Sequence, residues 1–181
     1  MDRKDIFWFP MRVTYNREIK VKENLDSLGI ENFVPMKQQF TVHCGHKRLE
    51  TIPAINNLLF VHSSREILTN LKMTEEEFSP LRYMMTRPLQ KNARPEIITI
   101  PDRSMENFIR AASHTDGSLI YLDYGCVADK IGRRVVVCDG PFAGVEGVVL
   151  RIDNNKRVVI KLENVVAVAI AFVPPAFLKF L

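Results

Sequence analysis

The sequence predicts an α+β chain in two parts: an N-terminal α/β sandwich with a mostly antiparallel sheet, and a small C-terminal β-barrel. Three observations carry that prediction. Segments rich in β-branched and aromatic residues alternate with helical stripes up to about residue 113. Beyond it helical periodicity stops, and short apolar runs alternate with Asp-Gly, Asp-Asn-Asn and Glu-Asn turn signals. Between the two lies a polar, glycine-bearing stretch, Ser113 to Gly125, with the composition of a linker. The expected division is therefore 1–113, a linker at 114–125, and 126–181.

Ile6 to Val13 reads as a strand, with Pro10 placing it near an edge or a bulge. Asn16 is positioned to cap a helix carrying Val21, Leu25 and Leu28, and Gly29 to end it. Glu31 to Met36 reads as a second strand. Gln39 to Cys44 and His46 to Ile52 form two polar arms of a hairpin around Gly45. Leu58 to Val61 is a short continuous apolar run, expected to be buried on both faces. A helix follows from Ser64 with Ile67, Leu68 and Leu71, then a strand from Leu81 to Met85. Glu75 to Glu77 reads as a solvated helical turn beginning at Thr74, not as a carboxylate metal cluster.

Thr86 to Pro95 reads as a loop and Ile97 to Ile100 as a strand. Pro101 suits a helix start, and Met105, Phe108, Ile109 and Ala112 form a clear amphipathic stripe. In the C-terminal part the strands are Val135–Val137, Val148–Ile152, Arg157–Leu162 and Val166–Phe172. In the last of these Val166, Val168, Ile170 and Phe172 share one face, expected to meet the core. Ala167, Ala169 and Ala171 share the other. The apolar tail from Phe172 to Leu181 is expected to close the barrel.

Composition bounds the function. Of 181 residues, 46% are hydrophobic and 25% charged, which excludes wholesale disorder. No apolar run reaches the roughly 18–20 residues needed to cross a bilayer, and the first ten residues lack the apolar core of a signal peptide. A cytoplasmic, monomeric protein without membrane contact is expected. The net charge of +4 is too small to prove nucleic-acid binding, so any basic surface must be local. Cys44, Cys126 and Cys138 are odd in number and widely spaced, as reduced thiols are.

No phosphate-binding glycine loop is present, and no nucleophile has a base and an orienting acid at recognisable spacing. His43, Cys44 and His46 offer three ligands where a closed zinc site needs four. No enzyme activity, metal or cofactor is expected. The hairpin concentrates Lys37, His43, His46, Lys47 and Arg48 against Glu50 alone, and Arg12, Tyr15 and Lys20 could extend the patch. Such mobile cations and donors suit phosphates and unpaired bases.

Residues Ile131 to Ile152, IGRRVVVCDGPFAGVEGVVLRI, resemble a KOW motif in the spacing of Gly132, Val135, Val137, Asp139-Gly140-Pro141-Phe142, Gly144, Gly147 and Val149. Trp8-Phe9, the helix with Glu18, Lys20, Lys22 and Glu23, the FVPM run at Phe33 to Met36, the basic hairpin and Asn57 to Val61 resemble the N-terminal domain of NusG-type transcription elongation factors. FVPM followed by a basic hairpin is closest to the specialised RfaH-like and UpxY-like antiterminators of capsular polysaccharide operons. The sequence departs from the family at Ile55-Asn56-Asn57-Leu58, where a leucine replaces an aromatic, and at Val145.

The resemblance implies an NGN-like sandwich and an SH3-like KOW barrel. It implies docking on the clamp helices of RNA polymerase, with Ile55, Leu58, Leu81 and Tyr83 as the apolar contacts, and a grip on the non-template DNA strand or a leader RNA. In the barrel it implies a partner surface at Gly140, Phe142, Gly144, Val145 and Gly147, for a ribosomal protein or Rho. Read-through of a surface-polysaccharide operon is the implied output. The alternatives are housekeeping pausing or Rho-dependent termination, and a KOW-type RNA- or ribosome-binding role.

Overall fold

The computed structural model describes residues 6–43, 45–86 and 94–181. Cys44 and most of the expected Thr86–Pro95 loop lie outside the described residues. By density of contacts the chain groups into two compact units, Met1–Val34 with Ile55–Asp102, and Pro35–Ala54 with Arg103–Leu181.

The first unit is built on β1 (Ile6–Val13) and β5 (Leu58–Ser64), antiparallel from Ile6↔Ser64 to Arg12↔Leu58. The two-residue strand β2 (Asn32–Phe33) adds to β5, and β6 (Leu81–Tyr83) adds to β1, giving the order β2-β5-β1-β6. Period-two alternation sets Phe9, Met11 and Val13 beside Leu59, Val61 and Leu81 on one face, all buried. The helices α1 (Glu18–Ser27) and α2 (Arg65–Thr74) pack on this sheet, with Val21, Leu25 and Leu68 fully buried. Ser64 caps α2 by accepting the Ile67 N–H at 3.2 Å.

Three local expectations change. Asn16 is not a helix cap: it adopts φ 51°, and α1 begins two residues later without a side-chain cap. The Glu31–Met36 strand shrinks to Asn32–Phe33, because Pro35 has no N–H to give a ladder and Met36 already opens the hairpin. Residues 97–100 make only single bridges, Ile97 to Met85 and Ile100 to Trp8.

The second unit contains a two-stranded hairpin, β3 (Met36–His43) with β4 (His46–Pro53), and the helix α3 (Asp102–Ala112) from Arg103 onward. Its large antiparallel sheet has the order β12-β8-β9-β10-β11-β7. The strands are β7 (Leu119–Asp123), β8 (Arg133–Val137), β9 (Glu146–Ile152), β10 (Asn155–Leu162), β11 (Val166–Ile170) and β12 (Leu178–Phe180). The stretch with linker composition thus contains a strand, β7, whose Leu119–Asp123 pairs with β11.

In β11 both faces are buried, so the alanine face, expected to lie outside, is interior as well. Ala167 and Ala169, not the large residues, line the cluster of Val127, Leu150, Ile152 and Val159. A tightly curved sheet leaves room only for small side chains where large ones converge from neighbouring strands. Val166, Val168 and Ile170 are buried as well, while Phe172 is 74% exposed. The tail joins the sheet through β12, which pairs Leu178↔Val137 and Phe180↔Val135, so β12 and β7 are its two edges.

Candidate nucleic-acid interface

At one end of the N-terminal sheet three turns converge. The Val13 N–H donates to the Asn57 carbonyl at 3.0 Å, and the Thr14 N–H to Pro80 O at 3.2 Å. Cross-strand pairing sets Arg12 directly opposite Arg82, two like charges side by side. The Arg82 guanidinium is held by the carbonyls of Ser79 and Leu81. Arg12, Arg17 and Lys20 are exposed. Like charges at directly opposed positions cost stability.

Tyr15 follows β1 at this end with φ 64° and ψ 31°, its side chain 82% exposed. A non-glycine residue held in this region costs on the order of 1–3 kcal/mol. The turn is fixed from behind. The Asn16 N–H donates to Asn57 Oδ1 at 3.0 Å, and the Asn57 N–H donates to Glu18 Oε1 at 3.2 Å. Asn57 is itself left-handed at φ 62°, and Glu18 is only 2% exposed. The Arg17 guanidinium lies 5.7 Å from the Tyr15 ring centroid.

The hairpin sorts its side chains by face. Its register runs from Met36↔Pro53 to His43↔His46. One face carries Lys37, Gln39, Thr41, His46, Arg48 and Glu50; the other carries Gln38, Phe40, Val42, Lys47, Leu49 and Thr51. Of the candidate cations, Lys37, His46 and Arg48 share the polar face with the backbone position of His43, and Lys47 is on the other. Phe40 and Leu49 are a cross-strand pair, 68% and 54% exposed, beside Val42 at 63%. Among the described residues no three His, Cys, Asp or Glu side chains gather as a metal site needs.

The four apolar contacts implied by the resemblance are not brought together on one surface. Leu81 is fully buried, and Tyr83 shares its face, with its hydroxyl 3.1 Å from Thr69 Oγ1 and 3.3 Å from Arg65 O. Lys72 lies over the Tyr83 ring at 4.4 Å; burial, helped by Arg82, lowers its ammonium pKa. Leu58, 5% exposed, lies on the opposite face, opposite Arg12. Ile55 is half-buried in the turn before β5.

In the C-terminal unit the loop before β9 is closed over by α3. Asn107 donates from Nδ2 to Glu146 O and accepts the Glu146 N–H at Oδ1, both at 2.8 Å. Arg103 pairs with Glu146 Oε1 at 2.8 Å, and Arg110 donates to Gly144 O at 2.9 Å. Gly144 has φ 83°, and a Cβ there would stand 2.7 Å from the Arg110 guanidinium. Gly147 is glycine for space, since a Cβ would meet Val159 O at 2.8 Å. Phe142 and Val145 are 6% and 0% exposed, Phe142 against His114 at 4.5 Å, and Gly140 opens the turn. Of the implied partner residues, Phe142 and Val145 are therefore interior, Gly147 is half-buried, and Gly140 and Gly144 are exposed.

The profile described as "Transcription termination factor nusG" matches residues 7–109, more than half of the chain. This chain belongs to the NusG family. The KOW motif matches residues 131–161, so β8, β9 and nearly all of β10 form the KOW element. Comparison with curated proteins returns no match. A NusG-family protein is a non-enzymatic transcription elongation or antitermination factor that works by binding RNA polymerase. No helix of the described residues is long and apolar enough to cross a membrane.

Sequence reasoning missed Arg17, Arg82, Asn57 and Glu18 at the sheet end, and Asn107 and Arg110 on α3. An asparagine ahead of an apolar run is a turn signal that marks Asn57 as a left-handed candidate. Nothing in the sequence marks Arg82, which becomes Arg12's neighbour only through strand pairing.

Proposed function

We propose that this NusG-family protein is a specialised antiterminator that binds RNA polymerase and the displaced non-template DNA strand and promotes read-through of a long operon, such as one for surface polysaccharide. It works in the cytoplasm, where the polymerase is. The observation that carries the strand-binding part is the cationic sheet end. Arg12 and Arg82 are paired across strands there, Arg17 lies over the exposed ring of Tyr15, Lys20 is exposed on the first turn of α1, and the carboxylate within that turn, Glu18, is turned inward.

Phosphate contacts position a strand, and unpaired bases stack or accept hydrogen bonds, so this group suits the strand displaced at a transcription bubble. With a net charge of only +4 the affinity for free DNA is modest. It becomes effective when polymerase holds the strand nearby, because tethering raises the local concentration. We assign Ile55, with Leu58 behind it, to the polymerase contact, and the polar face of the hairpin to auxiliary phosphate contacts. Length and basicity of the hairpin favour the specialised reading over a housekeeping one.

The test is capture of RNA polymerase by the full chain after nuclease treatment, together with crosslinking to the non-template strand of an assembled elongation complex. Arg12→Ala with Arg82→Ala should keep capture and lose most of the crosslink. Loss of both together, or of neither, contradicts the assignment.

A further inference from the structure

We propose that Tyr15 is a preset stacking platform for one unpaired base of a single-stranded nucleic acid, with Arg17 as its cationic flank and the Glu18–Asn57 pair as the device that holds it in place. The inference rests on the reading of the sheet end as a strand-binding site and adds how that site meets a base.

An aromatic residue enters the left-handed region only when its surroundings force it there. At Tyr15 the backbone is forced and the ring stays 82% exposed. The forcing is built from three separate turns. Asn57, itself left-handed, takes the Val13 N–H on its carbonyl and the Asn16 N–H on its side chain. Its own N–H is held by Glu18, a carboxylate almost wholly removed from water whose second oxygen, Oε2, has no protein partner.

A buried carboxylate with one oxygen unsatisfied is an expensive way to fix a turn. A glycine at position 15 would take the same φ without strain and without Glu18's help. The tyrosine is therefore kept for its ring, not for the turn. The cations around it choose the partner. Arg17 lies 5.7 Å from the ring centroid, and the cross-strand pair Arg12 and Arg82 occupies the same sheet end. That combination fits a strand whose bases are unstacked, and stacking on it is indifferent to base identity.

The experiment uses the full chain and a single-stranded DNA of about twelve nucleotides carrying one 2-aminopurine, whose fluorescence falls on stacking. Tyr15→Gly is the decisive variant. It should raise the melting temperature, because the strain is relieved, while lowering affinity about tenfold and abolishing the quench. Tyr15→Phe should retain both affinity and quench. Glu18→Gln should weaken the quench more than the affinity, since the cations remain. Unchanged quench and affinity in Tyr15→Gly overturns the platform. If Arg12→Ala with Arg82→Ala still weakens binding, only the platform falls; if that variant also binds like the parent, the strand-binding reading falls with it. A parent chain that neither binds nor quenches the same 2-aminopurine placed in the displaced strand of an assembled elongation complex overturns both.

Discussion

Tyr121, on β7 opposite Val168, has a buried hydroxyl without a protein partner, and burial pushes its phenol up to about 12. The neutral form is thus favoured in the folded state. Its contribution to stability is full below the unfolded value of about 10 and is lost as pH rises from about 10 to about 12. Tyr121→Phe removes both the orphan hydroxyl and this alkaline loss. We expect it to be about 1 kcal/mol more stable in urea at neutral pH, with the advantage growing above pH 10. Asn107 makes the opposite case. Its two hydrogen bonds serve both backbone groups of Glu146, so Asn107→Ala should cost about 2–3 kcal/mol in the same assay. Neither residue announces itself in the sequence. Tyr121 looked like part of a linker, and Asn107 like the polar side of an amphipathic helix.

At the scale of elements, local patterns were legible. The stripe of α3 repeats a helical spacing, β1 is marked by its β-branched and aromatic residues, and β5 by a continuous apolar run too short for a helix. What alternation could not tell was direction. In β11 both faces are buried, so large-against-small contrast does not mark the interior, and the alanines face the crowded cluster. Charge placement on the hairpin is the same problem, since faces depend on register and a slip of one residue would exchange them. The observed register makes a prediction. Lys37→Ala with Arg48→Ala, on the polar face, should lower the salt dependence of single-strand binding by about 0.7 per lost contact in the log–log slope. Lys47→Ala, beside Phe40 and Val42, should change it less.

For the whole molecule, segment order gave the two-part α+β reading, and the resemblance of two residue motifs in a fixed order pointed to the NusG family with a KOW element, because the pair is more specific than either alone. The site was legible only in part. Arg12, Tyr15 and Lys20 could be picked out by type, but Arg82 and Asn57 reach the same end through long-range pairing. Implied contacts such as Leu81 and Val145 are interior because apolar residues on strands serve the core first. The most direct measurement is transcription by purified RNA polymerase on the DNA leader upstream of the protein's own gene, with the protein added. The account predicts longer transcripts and shorter pauses, lost when Arg12 and Arg82 are both alanine. Increased pausing or termination, or read-through indifferent to those two arginines, would contradict it.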